Sequence, residues 1–151
     1  MKHTKSKTEF CIYLSYPMHR DDEETFYNEL QTCIDIGTEI KAWLIDWEKM
    51  YGLPKSYLYV PAEQELFIHR AYTANFLTEK QIAYINSKII ESSDLLILFS
   101  NYNPEKASSN ILAEAKAAKE YKVPIYTMPD LSDIAISALK FAIKTIIKAG
   151  D

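Results

Sequence analysis

A chain of 151 residues, 48% hydrophobic and 25% charged, has the size and balance of one globular domain with a single core. Its formal charge of −4 at pH 7 argues against a broad nucleic-acid-binding face, which needs clustered basic side chains, and leaves room for a small anionic ligand. No apolar run approaches the roughly 18 residues of a membrane span, and the basic opening Met1-Lys-His-Thr-Lys-Ser-Lys7 is not followed by the apolar core of a signal peptide, so a cytoplasmic protein without membrane contact is expected.

Residues 1–8 read as an N-terminal tail and 9–151 as a single domain. Phe10 to Ser15 is a buried strand ended by Tyr16-Pro17, and Asp21 to Ile34 a helix with Phe26, Leu30 and Cys33 on one stripe. A second helix, Glu39 to Tyr51, carries Ile40, Trp43, Leu44, Trp47 and Met50 at helical spacing and stops at Gly52-Leu-Pro54. The Trp43 and Trp47 pair, one turn apart, suits a core or a dimer interface. Tyr57 to Val60 is a strand closed by Pro61, whereas Ala62 to Asn75 shows no clear period. It reads as a mobile loop, with Phe67, His69, Arg70 and Tyr72 placed to cover a pocket or to pack on the surface. Thr78 to Glu91 is a helix with Ile82, Ile85, Ile89 and Ile90 inward, and Asp94 to Phe99 is the central strand. Asn110 to Tyr121 is helical, Val123 to Tyr126 a strand, and Asp130 to Lys148 a terminal helix with Ile134, Ile136, Leu139, Ile143 and Ile147 apolar. This alternation predicts an α/β fold: a Rossmann-like (flavodoxin-like), doubly wound parallel sheet of four to five strands in three αβα layers. Cys11 and Cys33 read as two buried free thiols, and the separated His3, His19 and His69 show no metal-ligand spacing.

The most informative segment is Ser108-Ser109-Asn110-Ile111-Leu112-Ala113-Glu114. In an open α/β sheet the crevice lies beyond the carboxyl ends of the strands, where helix N-termini present unpaired N–H groups to anions. Glu114, expected in the first turn of such a helix, faces the crevice and can meet a sugar, while the Ser-Ser-Asn segment meets a phosphate. A nucleotide has both groups. Each residue also has a plainer role. An acid in a first turn is favoured by the helix dipole, Ser108 and Ser109 serve as caps, and Tyr13 fills a core. His19 and Arg20 suit a solvated turn, and Asn101 suits a turn with Pro104.

Three segments together resemble the nucleoside 2-deoxyribosyltransferase superfamily, which includes nucleoside transferases and hydrolases of nucleoside 5′-monophosphates. Ile12-Tyr-Leu-Ser-Tyr-Pro-Met18 is similar to its opening I-Y-L-A-G-P; Ser92-Ser93-Asp94 before the central strand is similar to its helix, acidic residue, strand pattern; and Glu114 and Pro124 keep its interval of ten residues. The resemblance implies that Glu114 is the nucleophile at C1′ of the sugar and that Tyr13 orients it. Six positions before the Glu the transferases carry Asp and the monophosphate hydrolases Ser; Ser108 stands there, which suits a 5′-phosphate. Ser15, Tyr16, His19, Arg20, Asn101, Ser109 and Asn110 complete the expected substrate contacts. No metal or organic cofactor is implied, and the partners are a small nucleotide or nucleoside and a second copy of the chain, as a homodimer or higher homo-oligomer.

The chain departs from that pattern at three places. Asn86 stands eight residues before Asp94, where the family has an Asp that protonates or holds the leaving base; Asn can hydrogen-bond a base edge but is no general acid. Tyr16 and Asn110 replace glycines near the ligand. Two alternatives therefore remain open. One is a TIR-like NAD-cleaving domain, resembled by Tyr13-Leu-Ser-Tyr16 and Phe99-Ser-Asn-Tyr102, although its helical Glu lies further from the next strand and Lys55 to Asn75 has no counterpart there. The other is a nucleotide-sensing module without turnover, which Asn86 favours.

Overall fold

The computed structural model describes residues 9–19, 22–99 and 109–150, Ser109 by its backbone alone. The expected N-terminal tail and the start of the first helix at Asp21 lie outside the described residues. The elements run β1 (Glu9–Ser15), α1 (Glu23–Tyr51), β2 (Lys55–Tyr59), α2 (Ala62–Thr73), α3 (Glu79–Glu91), β3 (Leu95–Phe99), α4 (Ser109–Glu120), β4 (Ile125–Met128) and α5 (Asp133–Ala149).

All four described strands are parallel, in the order β2-β1-β3-β4, which is the flavodoxin-like order over four strands. Alternation along β1 and β3 divides the core. Ile12, Leu14, Leu95 and Ile97 face α1 and α5, where Phe26, Ile40, Leu44, Leu139 and Ile143 pack. Tyr13, Leu96 and Leu98 face α3 and α4, meeting Ile90, Ile111 and Ala118. The fold is thus the Rossmann-like αβα sandwich, because a parallel strand buried on both faces needs a helical layer on each.

Two expectations about local structure are corrected. The two helices anticipated over residues 21–51 are one, capped at Asp22, whose carboxylate accepts from the Thr25 N–H and hydroxyl, and ended at Gly52 with φ 62°. Gly37, near the anticipated break, is a point of close packing: a Cβ there would lie 2.7 Å from Val60 Cγ2. The segment anticipated as a loop from residue 62 is helix α2. Its buried face is Ala62, Glu65 and His69, while Leu66 and Phe67 are exposed, so its polarity is inverted relative to the usual amphipathic pattern.

Smaller shifts have local causes. β4 starts two residues later than expected, since Val123-Pro124 follows Lys122 in the left-handed region and Pro124 has no N–H, contributing its carbonyl to Leu96 N–H instead. The terminal helix begins after Ser132, its cap, because Asp130 turns the chain by accepting from Ser132 N–H. Ile85, expected inward, is exposed, as are Met50 and Ile134 of the apolar helical patterns. Cys33 is buried and Cys11 partly so, both as free thiols. No helix among the described residues is long and apolar enough to cross a membrane.

Candidate active site

β1 is flanked by β2 on one side and β3 on the other, so the chain reverses its direction of winding beside β1. Ligands of such sheets bind at that switch point, beyond the carboxyl ends of the strands. Tyr13 and Ser15, two apart on β1, point to the same face by the strand period. There they meet Glu114 of α4: the Tyr13 hydroxyl donates to Oε2 at 2.9 Å and the Ser15 hydroxyl to Oε1 at 2.6 Å. Asn86 of α3 adds a long contact from Nδ2 to Oε2 at 3.5 Å. Glu114 is 5% exposed, Ser15 and Tyr13 0%. A buried carboxylate is retained when donors surround it, and these donors come from two elements, β1 and α3.

Glu114 is in the second turn of α4, not the first, because the helix already begins at Ser109. The helix dipole acts within the first turn and does not account for it; the side chains of β1 do. The Tyr13 phenol is raised well above the ordinary tyrosine value, first by burial and then by the Glu114 charge, so it remains a protonated donor. The Tyr59 ring lies 5.4 Å from that of Tyr13, and its phenol is raised by burial and by the charges of Glu65 and Glu114.

Asn110 ties the turn after β1 to α4. Its Oδ1 accepts from Met18 N–H at 3.0 Å and its Nδ2 donates to the Tyr16 carbonyl at 2.9 Å. That backbone is thus clamped from one side. Tyr16 stacks on Phe99 with ring centres 6.0 Å apart. His19 is exposed and held by Glu29, which accepts from its backbone N–H and lies 2.6 Å from its Nδ1. Arg20, Asn101 and Ser108 lie outside the described residues, and Ser109 is placed as the first residue of α4.

A cleft of about 230 Å³ opens between α3 and α4, with Glu114, Asn86 and Asn110 at one part of its wall, Ala83 and Ala113 along it, and Lys80 at its rim. The volume is below the roughly 300–1,000 Å³ of drug-sized sites and suits a single base or pentose. A second, narrow cavity of about 10 Å³ shares Asn86, Asn110 and Glu114 with the cleft and is closed by Tyr16, Cys33 and Glu65. The Cys33 thiol is pushed up to about 12, chiefly by burial, and is no nucleophile there.

Glu65, Glu79 and Lys80 are the charged lining residues that sequence reasoning missed. Lys80 sits in an ordinary helical surface pattern. Glu65 carried a usable signal: Ala62, Glu65 and His69 are spaced as one helical face, but two of the three are polar, which hides a buried stripe from any search for hydrophobic periodicity. His69 is 8% exposed, stacks on Phe26 at 4.5 Å, and its Nδ1 has no hydrogen-bond partner among the described residues. Among the described residues no group of three or more His, Cys, Asp or Glu is arranged to hold a metal ion. In comparisons with protein-family models, curated proteins and solved structures, nothing matches this chain.

Proposed function

We propose that this protein cleaves the N-glycosidic bond of a nucleoside 5′-monophosphate, with Glu114 as the nucleophile. The observation that carries the reading is the buried Glu114 carboxylate at the cleft wall, held by Tyr13 and Ser15. Such a group is aimed without needing to reorganise, which is the condition for attack at a sugar carbon. The cleft accommodates one ring of the substrate, and its alanine and isoleucine walls suit a flat base. Glu114 forms a bond to C1′ as the base departs, and water or a second base then releases the sugar. Throughout, the Tyr13 phenol donates to Oε2, and the Ser15 hydroxyl holds Oε1 until that oxygen or its partner attacks.

The preference for a phosphate over a free 5′ hydroxyl rests on Ser108, which immediately precedes α4 in sequence; a hydroxyl beside a helix N-terminus favours an anion where an Asp would repel it. A cytoplasmic setting belongs to the same reading, since both cysteines are free.

The test is a chromatographic screen of the protein against ribo- and deoxyribonucleoside 5′-monophosphates, the parent nucleosides and NAD, scoring free base. Base release from a monophosphate is expected, falling about 10³-fold or more in Glu114→Gln, equivalent to about 4 kcal/mol of barrier. Nicotinamide release from NAD would transfer the protein to the NAD-cleaving reading. Tight nucleotide binding with no base released from any substrate would make it a sensor.

A further inference from the structure

The glycosidase reading leaves one chemical requirement unmet at Asn86: a base leaving as an anion needs a proton, and an amide has none to give. Helix α2 brings a second carboxyl group to the place where the requirement arises. Glu65 is 1% exposed and lines the narrow cavity together with Asn86, Asn110 and Glu114, the three residues that this cavity shares with the cleft. At about 10 Å³ the cavity has room for about one water, so Glu65 is in reach of the shared wall directly or through one water. The carboxyl group that lines the cleft besides Glu114 is Glu79, exposed at the start of α3, seven residues before Asn86 and hence about 10 Å along the helix from it.

We propose that Glu65 exchanges protons with the leaving base and then with the attacking water, supplying from α2 the acid that Asn86 lacks. The proposal rests on the glycosidase reading of Glu114. In the first step a Glu114 oxygen bonds to C1′, the C1′–N bond breaks with its electron pair going to the base nitrogen, and that nitrogen takes the Glu65 carboxyl proton. In the second, a water oxygen bonds to C1′ and its proton passes to the Glu65 carboxylate. The C1′–O bond to Glu114 breaks, returning Glu114 as carboxylate and Glu65 as the acid. The two carboxyl groups divide nucleophile and acid/base work as they do in retaining glycosidases.

The experiment compares two substrates with the same 5-phosphopentose: the nucleotide that the wild-type protein cleaves, and its p-nitrophenyl counterpart, whose leaving group departs without a proton. In Glu65→Gln, base release should fall by about 10²–10⁴-fold. The p-nitrophenolate burst should remain at one equivalent of enzyme and be followed by slow turnover, because only the water step still needs the acid/base. Glu65→Asp, which keeps a carboxyl group one methylene further back, should show a smaller loss of base release and leave the p-nitrophenolate burst unchanged. A burst slowed as much as base release in both variants would make Glu65 structural, and unchanged rates on both substrates would remove it from the reaction. The same pattern in Glu79→Gln instead would reassign the acid. Failure of the wild-type protein to release base from any nucleotide would refute the glycosidase reading, and this proposal with it.

Discussion

Replacing Tyr13 by Phe removes one oxygen from the grip on Glu114 while leaving the ring in its packing against Tyr59. The lost bond, 2.9 Å to Oε2 in a fully buried setting, is one to a charged acceptor, of a kind that contributes about 1.5–3 kcal/mol. Oε1 keeps Ser15 at 2.6 Å and Oε2 keeps the long Asn86 contact at 3.5 Å, so the loss is that of one bond. For a chain of this size 1 kcal/mol moves Tm by about 2–4 °C, and a fall of about 3–12 °C at pH 7 is expected. The alkaline range isolates the cause. Burial and the Glu114 charge raise the Tyr13 phenol well above the ordinary value, so above about pH 10 the unfolded chain has given up a proton that the folded protein retains. The stabilisation is therefore complete below that pH and declines above it, by about 1.4 kcal/mol per pH unit. Phe has no proton to lose, and Tyr16, Tyr59 and Cys33, also raised, titrate in both proteins. Urea unfolding of wild type and Tyr13→Phe at pH 7, 9 and 11 should give the same stability gap at the first two and a gap smaller by about 1.4 kcal/mol at the third. A gap that stays constant to pH 11 would refute the reasoning, because the Tyr13 proton would then not be held by the native site.

Two further outcomes follow from the packing of α1. Gly37→Ala gains helix propensity of roughly 1 kcal/mol but sets a Cβ 2.7 Å from Val60 Cγ2; overpacking of about 1–3 kcal/mol should prevail and lower the urea midpoint. In the Val60→Ala background the same change should be neutral or stabilising. Cys33, buried and with its thiol near 12, should resist Ellman's reagent at pH 8 in a Cys11→Ser variant and react at the rate of global unfolding once urea is added. Rapid labelling of the native protein would mean that the α1 face of the core opens locally.

The elements whose apolar periodicity coincides with burial were legible. Phe10–Ser15, Leu95–Phe99 and the stripe of Ile82 and Ile90 follow the rule that side chains meet one face every second residue in a strand and every third or fourth in a helix, and their alternation was enough for the layered α/β fold. A contact of Tyr13 with Glu114 was expected from the opening strand and the interval from Glu114 to Pro124, and the two side chains are hydrogen-bonded. Gly37 and α2 were not legible. A mid-helix glycine reads the same whether it ends a helix or admits a neighbour, and Val60, the neighbour concerned, is 23 positions away in the chain. α2 buries Glu65 and His69 and exposes Leu66 and Phe67, the reverse of what hydrophobic patterning rewards.

The sequence by itself therefore determined the order of the strands and most of the helices between them, and one carboxylate worth following, because local periodicity and capping are written in adjacent residues. Only the tertiary structure decided what surrounds that carboxylate. Two hydroxyls from β1 and the amide from α3 converge on it, and Glu65 of α2 lines the same small cavity, through sheet pairing and helix packing across separations as long as 101 residues. No local pattern records such convergence, because a buried polar group is stabilised by distant partners rather than by its neighbours in the chain.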